Sequence, residues 1–106
     1  MDFTKELTTI DGKVIPYSGK PKMTLMDISL DALLASLPDE QNLSGEEKAK
    51  RYVLATRIYT NPTSVDLKAE EITLIKKLVG RVFGPLVVGQ AFEMLENKPV
   101  NLKKTK

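Results

Sequence analysis

Proline and glycine set the punctuation of this chain, and the punctuation limits it to short helices. Pro38, Asn61-Pro62, Gly84-Pro85 and Asn97 with Pro99 separate stretches of helical periodicity. A proline inside a helix removes a donor and clashes with the preceding turn, so each of these points ends or opens an element. Four helices are predicted. The first starts at Thr24, an N-cap with Asp27 in its first turn, and runs to about Leu37. Its apolar residues are Ile28, Leu30, Leu33, Leu34 and Leu37. The second opens on Ser44 with Glu47 three residues later, the pattern of a capping box. Ala49, Tyr52, Val53, Thr56 and Ile58 or Tyr59 then recur at helical spacing, while Lys48, Lys50, Arg51 and Arg57 are expected on the remaining surface. The third begins near Ala69, although Lys68 stands where a capping Thr or Ser would be the natural choice. Its predicted buried stripe is Ile72, Ile75, Leu78, Val79 and Val82. Pro85 suits the first position of the fourth helix, Leu86 to about Glu96.

Ahead of the helices, residues 3–17 read as a β-hairpin. Asp11-Gly12 is a two-residue turn signal, flanked by Phe3, Leu7 and Ile10 on one side and Val14, Ile15 and Tyr17 on the other. Pro16 and the Ser18-Gly19-Lys20-Pro21 stretch end the second strand. The fold expected is mainly α, within the α+β class: a β-hairpin followed by about four helices in one compact domain, residues 1–97. Residues 98–106 are expected to be a basic, flexible tail. At 106 residues there is room for a single domain.

Charge is distributed in a way that bears on partners. The chain has 16 basic and 14 acidic residues, but Lys98, Lys103, Lys104 and Lys106 lie in the last nine positions. The body therefore carries 12 basic against 14 acidic side chains. A nucleic-acid-binding domain concentrates its positive charge on a folded face, which makes nucleic acid a disfavoured partner. No apolar run nears the ~18 residues of a membrane span. The first residues alternate in charge and lack a secretory pattern, so a cytoplasmic location is expected.

The catalytic inventory is thin. With no His, Cys or Trp, imidazole base chemistry, thiolate chemistry and a Ser-His-Asp triad are excluded. Glu46/Glu47 and Glu70/Glu71 fall in predicted first turns, where the helix dipole already accounts for them. No calcium-loop spacing occurs. Ser18-Gly19-Lys20 lacks phosphate-loop spacing and reads as a turn. The helices flanking Gly84-Pro85 are a poor helix-turn-helix, because the fourth begins Pro85-Leu86-Val87-Val88 and offers only Gln90 to a base edge. Neither an enzyme nor a cofactor or metal site is expected.

Two features point to contact with protein. Gly80 and Gly89 interrupt helices, where glycine costs ~1 kcal/mol against alanine; either another backbone approaches there or the helix tolerates a local bend. The fourth helix is apolar around most of its circumference, and such helices are buried. A second copy or a partner could cover it, with Leu86, Val87, Phe92 and Leu95 as the candidate interface and the hairpin as an exchanging arm. Lys48, Lys50, Arg51, Lys76, Lys77 and Arg81, with the lysine tail, are the candidate contacts for the nucleic-acid alternative.

The segments IDGKVI, MTLMDISLDALLAS, LSGEEKAKRYVLATRIY and VDLKAEEITLIKKLVGRVFGPLVVGQAFEMLE, in this order and spacing, resemble a group of small phage and prophage proteins. The resemblance spans roughly residues 7–96. It implies a viral accessory role in the host cytoplasm, with a host or phage protein as partner, and supplies no site residues.

Overall fold

The structure is a computed structural model, described here for residues 1–97; the basic tail and Pro99 lie outside the described residues. Four α-helices follow one another: α1 Leu25–Leu34, α2 Gly45–Thr60, α3 Ala69–Val82 and α4 Pro85–Glu96, with a 3-10 turn at Pro38–Glu40 between α1 and α2. The architecture is mainly helical. α1 is central and packs against both α2 and α3, and α4 packs on α3.

Helix starts follow the local sequence. Thr24 caps α1: its hydroxyl accepts from the Asp27 N–H at 3.3 Å, and the Asp27 carboxylate accepts from the Thr24 N–H at 3.0 Å. The Ser44 hydroxyl accepts from the Glu47 N–H at 3.1 Å, whereas the Glu47 side chain lies 3.7 Å from Lys50. At Lys68 the side chain of Glu71 supplies what the cap lacks, accepting from the Lys68 N–H at 2.9 Å. Asn97 closes α4 in the left-handed region at φ 56°, and its N–H returns to the Glu93 carbonyl. The first helix is three residues shorter than expected. Ala35 is already extended, and Leu37, next to Pro38, is held extended as well.

The expected hairpin over 3–17 is not present, and no strand forms among the described residues. The turn is where it was read, but it is a three-residue loop. The Gly12 N–H donates to the Thr9 carbonyl at 3.0 Å and the Thr9 N–H to the Lys13 carbonyl at 2.8 Å. Only Gly12, at φ +87°, takes the left-handed conformation there, so Asp11 does not share it. Pairing stops at one Thr8–Val14 bridge. The backbone finds other partners beyond it. The Leu7 N–H donates to Met23, the Leu25 N–H to Lys5 and the Met23 N–H to Ile15. Residues 1–7 thus lie between the start of α1 and the loop after α2. Phe3 donates to Pro62 and accepts from Met26, and Met1 and Val65 exchange two backbone bonds of 2.9 Å.

Phe3, Leu7, Leu25, Ile28, Ile58, Ile75, Leu78 and Val79 are completely buried and form one core with Ala91 and Leu95. The side chain of Asp27 sits at its edge, paired with Lys20 at 2.8 Å. Burial pushes the Asp27 carboxyl up, but Lys20 and the N–H and hydroxyl of Thr24 outweigh it and hold the group below its ordinary value. A carboxyl depressed in the folded state contributes stability that is present above its unfolded pKa of about 4 and is lost as pH falls through the folded value. Asp27→Asn is expected to flatten the loss of stability below about pH 4 while lowering stability at neutral pH. Chemical denaturation at a series of pH values measures both; an unchanged acid limb would show that Asp27 is not depressed.

No backbone approaches either helix glycine. A Cβ added at Gly80 or Gly89 would meet nothing within 4 Å, so neither site holds a close contact within the chain. Gly80→Ala, at an exposed helical position, is expected to stabilise the protein by about 0.5–1 kcal/mol. A denaturation midpoint that fails to rise would imply that Gly80 is needed for a contact outside the chain.

Candidate protein-interaction surface

The face of α2 turned to the core is Arg51, Leu54, Ala55 and Ile58, a spacing of three, one and three residues that places all four on one side of the helix. This is not the stripe expected from the sequence. Tyr52, Val53 and Tyr59 point outward with 62, 53 and 67% of their surfaces exposed, and Ala49 and Thr56 are exposed beside them. The remaining large apolar side chains with this degree of exposure are scattered, as at Ile10 in the loop tip and Leu34 at the end of α1.

Arg51 takes the inward position because Glu40 is there to receive it. The guanidinium donates from Nη1 and Nη2 to the two carboxylate oxygens of Glu40 at 2.7 and 2.9 Å, a bidentate fork that is among the stronger ion pairs. Only 6% of Arg51 is exposed. The Arg51 fork holds the Glu40 carboxyl below its ordinary value against the opposing effect of burial, and Glu40 in turn raises the guanidinium. Arg81 of α3 adds a second layer, paired with Asp39 and lying 3.5 Å from Glu40. The 3-10 turn is in this way riveted to both α2 and α3. A cleft of about 370 Å³ adjoins the pair, with Leu34, Leu37, Leu43 and Lys48 in its wall. A shallower groove of about 760 Å³ runs between α2 and α3 over Val53, Leu54 and Leu74.

This geometry corrects the expected charged surface. Arg51 is a core residue. Arg81 is committed to Asp39, and Lys76 pairs with Glu96 while standing 4.8 Å over the ring of Phe92. Lys50 lies 3.7 Å from Glu47. Lys48 and Lys77 form no ion pair with another described residue, although Lys77 lies in the field of Asp39. Of the six basic residues, Arg51 is buried in its pair with Glu40, and Arg81 and Lys76 are paired with Asp39 and Glu96.

On α4, Leu95 is 2% exposed, so a residue expected at an interface belongs to the core. Leu86, Val87 and Phe92 are half-buried, with Val87 packed on the core and Phe92 beneath Lys76. Gln90 faces the protein instead of any base edge. Its carbonyl oxygen accepts from the Thr8 N–H at 2.9 Å and its amide donates to the Thr8 carbonyl at 2.7 Å. The loop through Thr8 is therefore tied to α4 and does not hang free as an arm.

Among the described residues, no group of three acidic, His or Cys side chains is placed to hold a metal, and no helix is long and apolar enough to cross a membrane. No protein family, curated protein or solved structure matches the chain.

Proposed function

We propose that the protein works by protein–protein contact, as a small phage-type accessory domain with no catalytic step of its own. An oligomeric adaptor, an assembly factor and a modulator of a host protein are all roles of this kind. The observation that carries the reading is the outer face of α2. Tyrosine is enriched at interface centres because its ring buries a large rigid area while the hydroxyl stays wet. Tyr52 and Tyr59, two turns apart on one exposed face of α2, with Val53 exposed on its flank, support a contact role. The phage-type attribution rests on the order and spacing of the segments that resemble small phage and prophage proteins.

The test is a tagged capture from nuclease-treated host lysate, with and without phage infection, run beside the Tyr52→Ser/Tyr59→Ser variant. A protein retained by the native chain and lost by the variant supports the reading, and its origin separates a host modulator from an assembly factor. Identical captures by both chains would remove α2 as the contact face. Nucleic-acid binding is the competing outcome. It would appear as a gel shift at low salt that falls steeply as salt rises, and Lys48→Glu would weaken it.

A further inference from the structure

The outer face of α2 carries a repeat that its inner face does not use. Ala49, Tyr52, Thr56 and Tyr59 succeed one another at steps of three, four and three residues, the alternation that lines a seam between two helices. The inner face fills the core without any of them. We infer that this seam is closed by α2 of a second copy of the chain, lying antiparallel to the first. The inference rests on α2 as the contact face and names its occupant.

Side-chain size selects both the occupant and the direction. In an antiparallel pair each position of the seam faces the alternate position of the other helix. Ala49 then meets Tyr59 of the second copy, and Tyr52 meets Thr56 of the second copy. Every layer joins one small side chain to one tyrosine. A parallel pair would set tyrosine on tyrosine and alanine on alanine, leaving some layers crowded and others empty. The pairing sets the two-fold axis level with Leu54, so Val53, on the flank of the seam, lies within two residues of its counterpart along the helix axis.

The polar groups of this face are ready for burial. The Thr56 hydroxyl donates to the Val53 carbonyl and the Thr60 hydroxyl to the Thr56 carbonyl, each at 2.7 Å. Both threonines therefore present methyl groups outward and leave no hydroxyl to desolvate unpaired. The tyrosine hydroxyls can reach water at the rim. The area sets the strength. With about a third of each tyrosine already buried, Tyr52, Tyr59, Val53 and the small residues between them can bury at most roughly 1,000 Å² in total, the size of a weak, transient interface. A reversible dimer is expected, not an obligate one.

Sedimentation equilibrium from low-micromolar to near-millimolar protein tests this, with circular dichroism as the folding control. The native chain is expected to pass from monomer to dimer, and Tyr52→Ser/Tyr59→Ser to stay monomeric with unchanged helicity. Orientation is read by cross-linking, which is clean because the chain has no cysteine. With a short bismaleimide, Val53→Cys should give a covalent dimer, and Thr73→Cys on the exposed side of α3 should not. A mixture of Ala49→Cys and Thr60→Cys should cross-link while Ala49→Cys alone does not. A native chain that is monomeric throughout, or an Ala49→Cys chain that links to itself, overturns the inference. Loss of a lysate partner in the double-serine variant would still uphold α2 as a contact face after such a result.

Discussion

Replacing Phe3 with alanine is expected to lower stability by about 3–4 kcal/mol, the range for deleting a buried aromatic ring. Phe3 belongs to no regular element, and an irregular N-terminal stretch is usually the first part of a domain to tolerate change. Here the ring is completely buried. Its backbone is also fastened on both sides, through a 2.6 Å bond to the Pro62 carbonyl and a 2.8 Å bond from the Met26 N–H. The substitution would open a cavity where the loop after α2 meets the start of α1. Against a total stability of ~5–15 kcal/mol for a domain, that loss moves much of the population toward the unfolded state. Urea denaturation at constant m-value measures it. Ile10→Ala is the control, because Ile10 is 93% exposed and should change stability by no more than ~0.5 kcal/mol. A Phe3→Ala loss below ~1 kcal/mol would mean that residues 1–7 do not pack on the core.

Arg51→Ala is expected to cost about 2–3 kcal/mol, below the loss for a wholly enclosed pair because Glu40 keeps some access to water and to Arg81. Two losses combine. The aliphatic stem of Arg51 packs along the inner face of α2, and Glu40 is left without the fork that holds the 3-10 turn. Glu40→Ala should also destabilise, because it strands the buried guanidinium. Arg51→Met with Glu40→Leu should recover most of the stability, since a buried ion pair exchanged for apolar groups of similar volume is often neutral. Denaturation of Arg51→Ala, Glu40→Ala and the double alanine variant closes the cycle that isolates the pair. A double alanine variant that loses the sum of the two single losses would show that the fork contributes nothing beyond packing.

Much of the helical framework was legible in the residues themselves. Thr24 with Asp27, the Ser44 cap, and Pro85 at the first position of its helix act over a single turn, so their consequences do not depend on the rest of the fold; the reciprocal Glu47 bond of the expected capping box at Ser44 does not form. Of the expected α3 stripe, Ile75, Leu78 and Val79 are buried and Ile72 is half-buried, whereas Val82, in the last position of the helix, is exposed. α2 was not readable in this way. It has two stripes at helical spacing, one running through Ala49, Tyr52, Thr56 and Tyr59, the other through Arg51, Leu54, Ala55 and Ile58. Periodicity alone prefers the stripe without a charge, and that preference placed Tyr52 inside, left Ile58 and Tyr59 as alternatives, and put the arginine outside; of the two alternatives Ile58 is the buried one. The N-terminal turn shows the same limit. Asp11-Gly12 specifies a reversal of the chain, but whether its flanks pair with each other or with residues 22–26 depends on where α1 lies.

By itself, then, the sequence determined the number of helices, most of their ends and the shortage of catalytic groups, because these follow from composition and from interactions within a turn or two. Only the tertiary structure decided which side of α2 meets the core. Glu40, eleven residues before Arg51 and held in a 3-10 turn, brings a carboxylate to the guanidinium, and that pairing lets a charge occupy an inward position. The same pairing turns Tyr52 and Tyr59 to the solvent, the face on which the proposed contact rests.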